Sequence, residues 1–154
     1  MRKTLLLLAL TLCLATLSAR TLTGKVTAIK DGDTIVVLKG KTTHTIRLDG
    51  IDCPEKKQAF GARARQFTAH EVFGKKVRVE YQSLDRYQRI LGTVFYENGQ
   101  NLNQELLKAG LAWHYKAYNK DIRLANLENT ARSKRLGLWA EKQPVPPWKF
   151  RRKK

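Results

Sequence analysis

Asp31-Gly32-Asp33-Thr34 opens the decisive stretch, and after a β-branched run it closes as Arg47-Leu48-Asp49-Gly50-Ile51-Asp52-Cys53-Pro54-Glu55. In a chain of formal net charge +17, this segment holds Asp31, Asp33, Asp49, Asp52 and Glu55, five of the thirteen acidic residues. Acid gathered inside a basic chain needs a local reason. Carboxylates are hard oxygen ligands for calcium or magnesium, and a further one can take a proton from water. A single Asp-Gly pair reads more simply as a turn, so the weight rests on the constellation.

Working outward, Asp31-Gly32-Asp33 is expected to turn with Gly32 at positive φ and to lead into Thr34-Ile35-Val36-Val37-Leu38, a run of strand length. Thr43 to Leu48 is a second strand, and Pro54 ends pairing beyond it. A hairpin through Lys39-Gly40-Lys41 would bring Asp33 close to Asp52. Arg47 shares its strand face with Thr45 and Asp49, opposite Ile46 and Leu48, so its guanidinium can leave an apolar core. Upstream, Thr21 to Ile29 suits a first strand.

Downstream, the period changes. Phe60, Ala64 and Phe67 recur at helical spacing within Lys56 to Phe73, with Gly74 as the stop, and Arg63 and Arg65 on the solvated face. Lys76 to Tyr81 alternates as a half-buried strand, and Ile90 to Tyr96 is its partner, ending at an Asn98-Gly99 turn. Leu102, Leu106 and Leu107 mark a second helix; Leu111 to Tyr118 is irregular. Asp121 caps a third helix carrying Leu124, Leu127 and Ala131 and running to Gly137, after which Leu138 and Trp139 return to the barrel. Five strands with a helix between the third and fourth match an α+β fold: a five-stranded OB-fold β-barrel with about three α-helices.

Residues 1–19 begin with Arg2-Lys3, continue apolar from Leu5 to Leu17 and end in Ser18-Ala19, the layout of a secretory signal peptide. Without Arg2 and Lys3, twenty-eight basic residues face thirteen acidic ones, a net +15 that calls for a polyanionic partner, nucleic acid or an anionic membrane. Cleavage would leave Cys53 as the only cysteine, so no intramolecular disulfide is expected. The expected organisation is a leader at 1–19, one domain at 20–142, and a Pro-rich, basic tail at 143–154 that does not continue a helix.

Asp-Gly-Asp-Thr, then Arg-Leu-x-Gly-Ile-Asp-x-Pro-Glu, then Asp85-Arg86-Tyr87-Gln88-Arg89 resembles the staphylococcal-nuclease (thermonuclease) family, from about Gly24 to about Trp139. The resemblance implies a calcium-dependent nuclease acting on DNA and RNA and leaving 3′-phosphate ends. It assigns Asp33, Asp52 and the backbone carbonyl of Cys53 to one calcium ion, Glu55 to the attacking water, and Arg47 and Arg89 to the phosphate. Arg86, Tyr87 and Tyr115 take substrate-binding positions, with arginine at 86 where the family often has lysine. Three departures stand out: Cys53 in place of a threonine, Gln88 in place of a glycine, and a short Lys56 to Gly61 segment. The expected product is a secreted monomer with no stable membrane association. The competing reading is a non-catalytic OB-fold module that binds nucleic acid; it would use the basic groove but has no need of Asp33, Asp52, Glu55, Arg47 and Arg89 together. A cationic membrane-active protein would need a broader apolar helix face than the one following Asp121.

Overall fold

The acidic stretch forms two turns at one end of a barrel, the hairpin turn at Gly32-Asp33 between the first two strands and the turn at Asp49-Gly50 that leads out of the third. In the computed structural model, which describes residues 19–152, β1 (Arg20–Asp31), β2 (Thr34–Lys39) and β3 (Thr42–Leu48) pair antiparallel in succession. The leader segment expected at 1–19 therefore lies outside the described residues, apart from Ala19. Gly32 lacks the positive φ expected of it. A Cβ there would lie 2.7 Å from the Cβ of Ala64 and 2.9 Å from that of Cys53, so the turn needs glycine for close approach. Positive φ falls instead on Gly50 (73°), in the turn after β3.

β5 (Lys76–Leu84) and β6 (Ile90–Tyr96) complete the wall in the order β3-β2-β1-β5-β6, and β6 returns to β3 in parallel, pairing Arg47 with Leu91. Alternation drives this closure: Ile35, Val37, Ile46, Leu48, Val77, Val79 and Val94 are all buried in one cluster, while intervening residues face outward. This is the expected OB-fold arrangement of a closed five-stranded barrel with appended helices. The seam is stapled by Asn103, whose side chain accepts from the Val94 N–H (3.1 Å) and donates to the carbonyls of Asp49 (2.8 Å) and Gly92 (3.2 Å).

Helix α1 (Gly61–Val72) starts later than the apolar spacing suggested. Residues 55–60 are spent on a tight return in which Gln58 N–H donates to the Glu55 carbonyl at 2.8 Å and Gly61 N–H to the Gln58 carbonyl at 3.0 Å. After β7 (Gln100–Asn101) comes α2 (Leu102–Lys108), with Leu102, Leu106 and Leu107 buried against the barrel. The segment read as irregular contains β8 (Trp113–His114), which pairs with β4 (Ile51–Asp52) and sets Trp113 opposite Asp52.

Asp121 caps α3 (Ile122–Ser133), as expected, accepting from the Arg123 N–H at 2.8 Å; the helix stops at Ser133, short of Gly137. Leu138 and Trp139 pack with Trp113 and Ala131 in a second apolar cluster and not on the barrel core. The described part of the tail is folded: α4 (Pro147–Arg152) packs Trp148 against that second cluster. A proline suits the first turn of a helix, where its missing N–H has no partner to lose, and Trp148 supplies an apolar face that the run of prolines and basic residues concealed. Among the described residues no helix is long and apolar enough to cross a membrane.

Candidate active site

All nine residues singled out from the sequence line one open cleft of about 630 Å³ at the mouth of the barrel: Asp33, Arg47, Asp52, Cys53, Glu55, Arg86, Tyr87, Arg89 and Tyr115. The topology explains the gathering. The hairpin puts Thr34 opposite Arg47. The β3–β6 seam places Leu91 beside Arg47, so Arg89, two residues earlier, projects from the same face. The β4–β8 pair carries Asp52, and the Tyr115 N–H donating to the Gly50 carbonyl at 2.9 Å brings Tyr115 to the rim.

Arg47 is the hub. Its Nη2 lies 2.9 Å from Asp52 Oδ1 and 3.2 Å from Asp33 Oδ2, and its Nη1 donates to the carbonyls of Leu48 (2.7 Å) and Ile51 (2.9 Å). Burial alone would lower the pKa of this guanidinium, but Asp33 and Asp52 outweigh that and leave it raised. Asp33 and Asp52 are themselves buried, at 6% and 2% exposure. Asp33 also accepts from the backbone N–H of Cys53 at 2.6 Å and from the Thr34 hydroxyl at 3.1 Å. Burial raises the pKa of Asp52, against the pull of Arg151 and Arg47. Asp31 is raised too, by burial and then by the charge of Asp33, and its Oδ1 is buried with no hydrogen-bond partner among the described residues.

Arg89 is aimed by Asp85, which receives its Nε at 2.7 Å and the backbone N–H groups of Tyr87 (2.8 Å) and Arg89 (3.0 Å). Burial would raise the Asp85 pKa, but the Arg89 backbone and side-chain hydrogen bonds bring it below the usual value. Gln88 adopts the left-handed conformation (φ 62°) that a glycine would favour, so the turn is kept despite the bulkier residue. Tyr87 is 63% exposed, with the guanidinium groups of Arg86 and Arg89 at 4.8 and 5.4 Å from its ring centre.

Three residues that sequence reasoning did not place also shape the site. Arg151 of α4 reaches Asp52 Oδ2 at 2.8 Å and Glu55 Oε1 at 2.7 Å. Within Arg151-Arg152-Lys153-Lys154 nothing local distinguishes it from a solvated charge. Trp148 stacks on Tyr115 with ring centres 5.2 Å apart and planes at 9°. Glu128, 1% exposed on α3, accepts from the His114 N–H at 3.2 Å and pairs with Lys116 (2.9 Å) and Arg132 (3.2 Å), bracing β8 and so Asp52.

The Staphylococcal nuclease homologue family matches residues 45–141 of this chain, more than half its length. The chain belongs to the staphylococcal nuclease family. It is 46% identical over 131 residues to an "Uncharacterized endonuclease" of Escherichia coli, covering 85% of this chain and 86% of the relative. It is 44% identical over 139 residues to a "Micrococcal nuclease" of Shigella flexneri, covering 84% and 80% respectively. It is also 47% identical over 109 residues to a "Staphylococcal-like nuclease" of Arabidopsis thaliana, covering 71% of this chain and 33% of that longer protein.

For a member of this nuclease family, the donors at the cleft suit a hard divalent cation. Two buried carboxylates converge on one guanidinium nitrogen, and the orphaned Asp31 Oδ1 stands with them. As the side chains stand, with Asp52 and Glu55 turned onto arginines, no three acidic, histidine or cysteine groups form a ready metal cluster among the described residues. The Cys53 thiol does not add a soft ligand: burial pushes its pKa well up and keeps it protonated.

Proposed function

We propose that this chain is an exported, calcium-dependent phosphodiesterase that hydrolyses DNA and RNA with little sequence preference and leaves 3′-phosphate ends. The observation that carries the reading is the convergence of Asp33, Asp52, Glu55, Arg47 and Arg89 in one cleft of a strongly basic chain. A module that only binds nucleic acid gains nothing from burying two carboxylates at the floor of its groove, since they repel phosphate. The names of the nuclease relatives point the same way.

In this reading Asp33, Asp52 and the Cys53 carbonyl hold one calcium ion. When bound, the ion supplies positive charge that polarises the phosphodiester and offsets the negative charge of the transition state. Glu55 takes the proton of a water placed for in-line attack on phosphorus. The new P–O bond forms as the bond to the 5′-oxygen breaks, and that oxygen takes up a proton from solvent, giving a 3′-phosphate and a 5′-hydroxyl. Arg47 and Arg89 donate to the phosphate oxygens, a task suited to a planar, permanently charged fork. Tyr87 and Tyr115 offer ring faces to any base. The protein acts as a monomer.

Single-turnover cleavage of a short single-stranded DNA and RNA, with calcium and with a chelator, tests the reading. Wild type should cut both only with calcium, and Glu55→Gln should retain calcium-dependent binding of a nucleotide inhibitor while slowing by about two to four powers of ten. Wild type that binds but never cleaves, with any divalent ion, would leave the binding module as the function. Export is checked separately: N-terminal sequencing of protein recovered outside the cytoplasm should begin at or near Arg20, and intact Met1 would refute cleavage.

A further inference from the structure

Helix α4 sits across the cleft and fills two of its positions at once. Arg151 spans both oxygens of Asp52, with Nη2 at 2.8 Å from Oδ2 and Nη1 at 3.3 Å from Oδ1, and the same Nη1 lies 2.7 Å from Glu55 Oε1. Three residues earlier on the same helix face, Trp148 covers the ring of Tyr115 in parallel stacking and meets Trp113 edge-on at 5.6 Å. Just before the helix, the Val145 carbonyl accepts from Gln58 Nε2 at 2.5 Å, tying the approach of α4 to the tight return that carries Glu55.

These contacts put a fixed positive charge where a cation would take its ligands and an aromatic plane where a base would stack. We infer that α4 is a self-docked cap that competes with a divalent cation and a nucleotide for the cleft. Both oxygens of Asp52 are engaged by one guanidinium, so the carboxylate cannot coordinate a calcium ion until Arg151 lets go. The face of Tyr115 covered by Trp148 is likewise open to a base only when the indole has moved. A six-residue helix is too short to hold its shape alone. Arg151 and Trp148 are therefore expected to leave together, so cation entry uncovers Tyr115 and nucleotide binding favours cation entry. The segment suits the role: residues 142–154 carry no acidic side chain, so the released arm would remain attracted to polyanionic substrate.

The inference rests on the calcium reading, and calcium binding measured by calorimetry on the full purified chain separates the two. Arg151→Gln is compared with Arg152→Gln, which removes the same charge from an exposed neighbour. A cap that is docked nine-tenths of the time lowers apparent affinity about tenfold. Arg151→Gln should therefore bind calcium about tenfold tighter than both wild type and Arg152→Gln. In the wild type, amide hydrogen exchange across Pro147–Arg152 should quicken on adding calcium. Equal or weaker affinity in Arg151→Gln, or unchanged exchange in α4, overturns the cap while leaving the calcium reading intact. No calcium binding by any of the three proteins overturns both.

Discussion

Arg47 serves two purposes that one ammonium group could not serve together. One edge of its guanidinium satisfies the carbonyls of Leu48 and Ile51 where the chain turns out of β3, and the other neutralises Asp33 and Asp52. Arg47→Lys should lower the single-turnover rate by about two to three powers of ten, the range for losing one pre-aimed donor to developing charge. It should also lower the melting temperature, because carbonyls left without a donor are costly when buried. A variant with wild-type rate would remove Arg47 from the chemistry and leave it a structural residue of the turn. Arg47 was visible through its place in the Arg-Leu-x-Gly-Ile-Asp-x-Pro-Glu motif that resembles the family, and its strand face showed only that the guanidinium could leave the core. Arg151 and Glu128 were not visible: one is the first of four adjacent basic residues, and the other sits in an ordinary helical pattern whose buried side depends on packing.

At the scale of elements, α1 and β6 are joined by the Tyr96 hydroxyl donating to Glu71 at 2.6 Å. That bond holds the Glu71 pKa below its usual 4.5, helped by His70 and opposed by burial. A carboxylate with a depressed folded pKa contributes stability that is present above its unfolded pKa and fades as pH falls through the folded value. Tyr96→Phe should therefore cost about 1 to 2 kcal/mol at neutral pH. Its difference from wild type should shrink as pH drops below 4.5. Denaturant titrations of both proteins at neutral and acid pH check this; a difference independent of pH would mean the hydroxyl acts only as a neutral donor or by packing. Strands were legible at this scale because alternation is local. The start of α1 and the end of α3 were less so, since the tight return at 55–60 and the stop at Ser133 are set by contacts beyond the helices themselves. The pairing of β8 with β4 had no periodic signal, each strand being two residues long.

For the whole molecule, a net charge of +17 gives attraction to polyanions, and the cleft gives it a direction. Binding of single-stranded nucleic acid should weaken with salt, each phosphate contact contributing a power of about 0.7. Arg86→Gln should reduce the slope of log affinity against log salt by about that amount. Fluorescence titrations at several salt concentrations measure it; an unchanged slope would assign Arg86 to holding the Tyr87 ring and not to a phosphate.

The sequence by itself determined the chemistry available and the barrel that presents it. Carboxylates, arginines and tyrosines are identities, and strand alternation and turn residues act over a few neighbours, so both can be read along the chain. Only the tertiary structure decided which charges meet. Asp52 and Arg151 are 99 residues apart, and their contact exists because Trp148 docks on Tyr115, Trp113 belongs to a second apolar cluster, and β8 pairs with β4. Such contacts arise when separate apolar surfaces are buried together, and no periodicity along the chain records which surface will cover which.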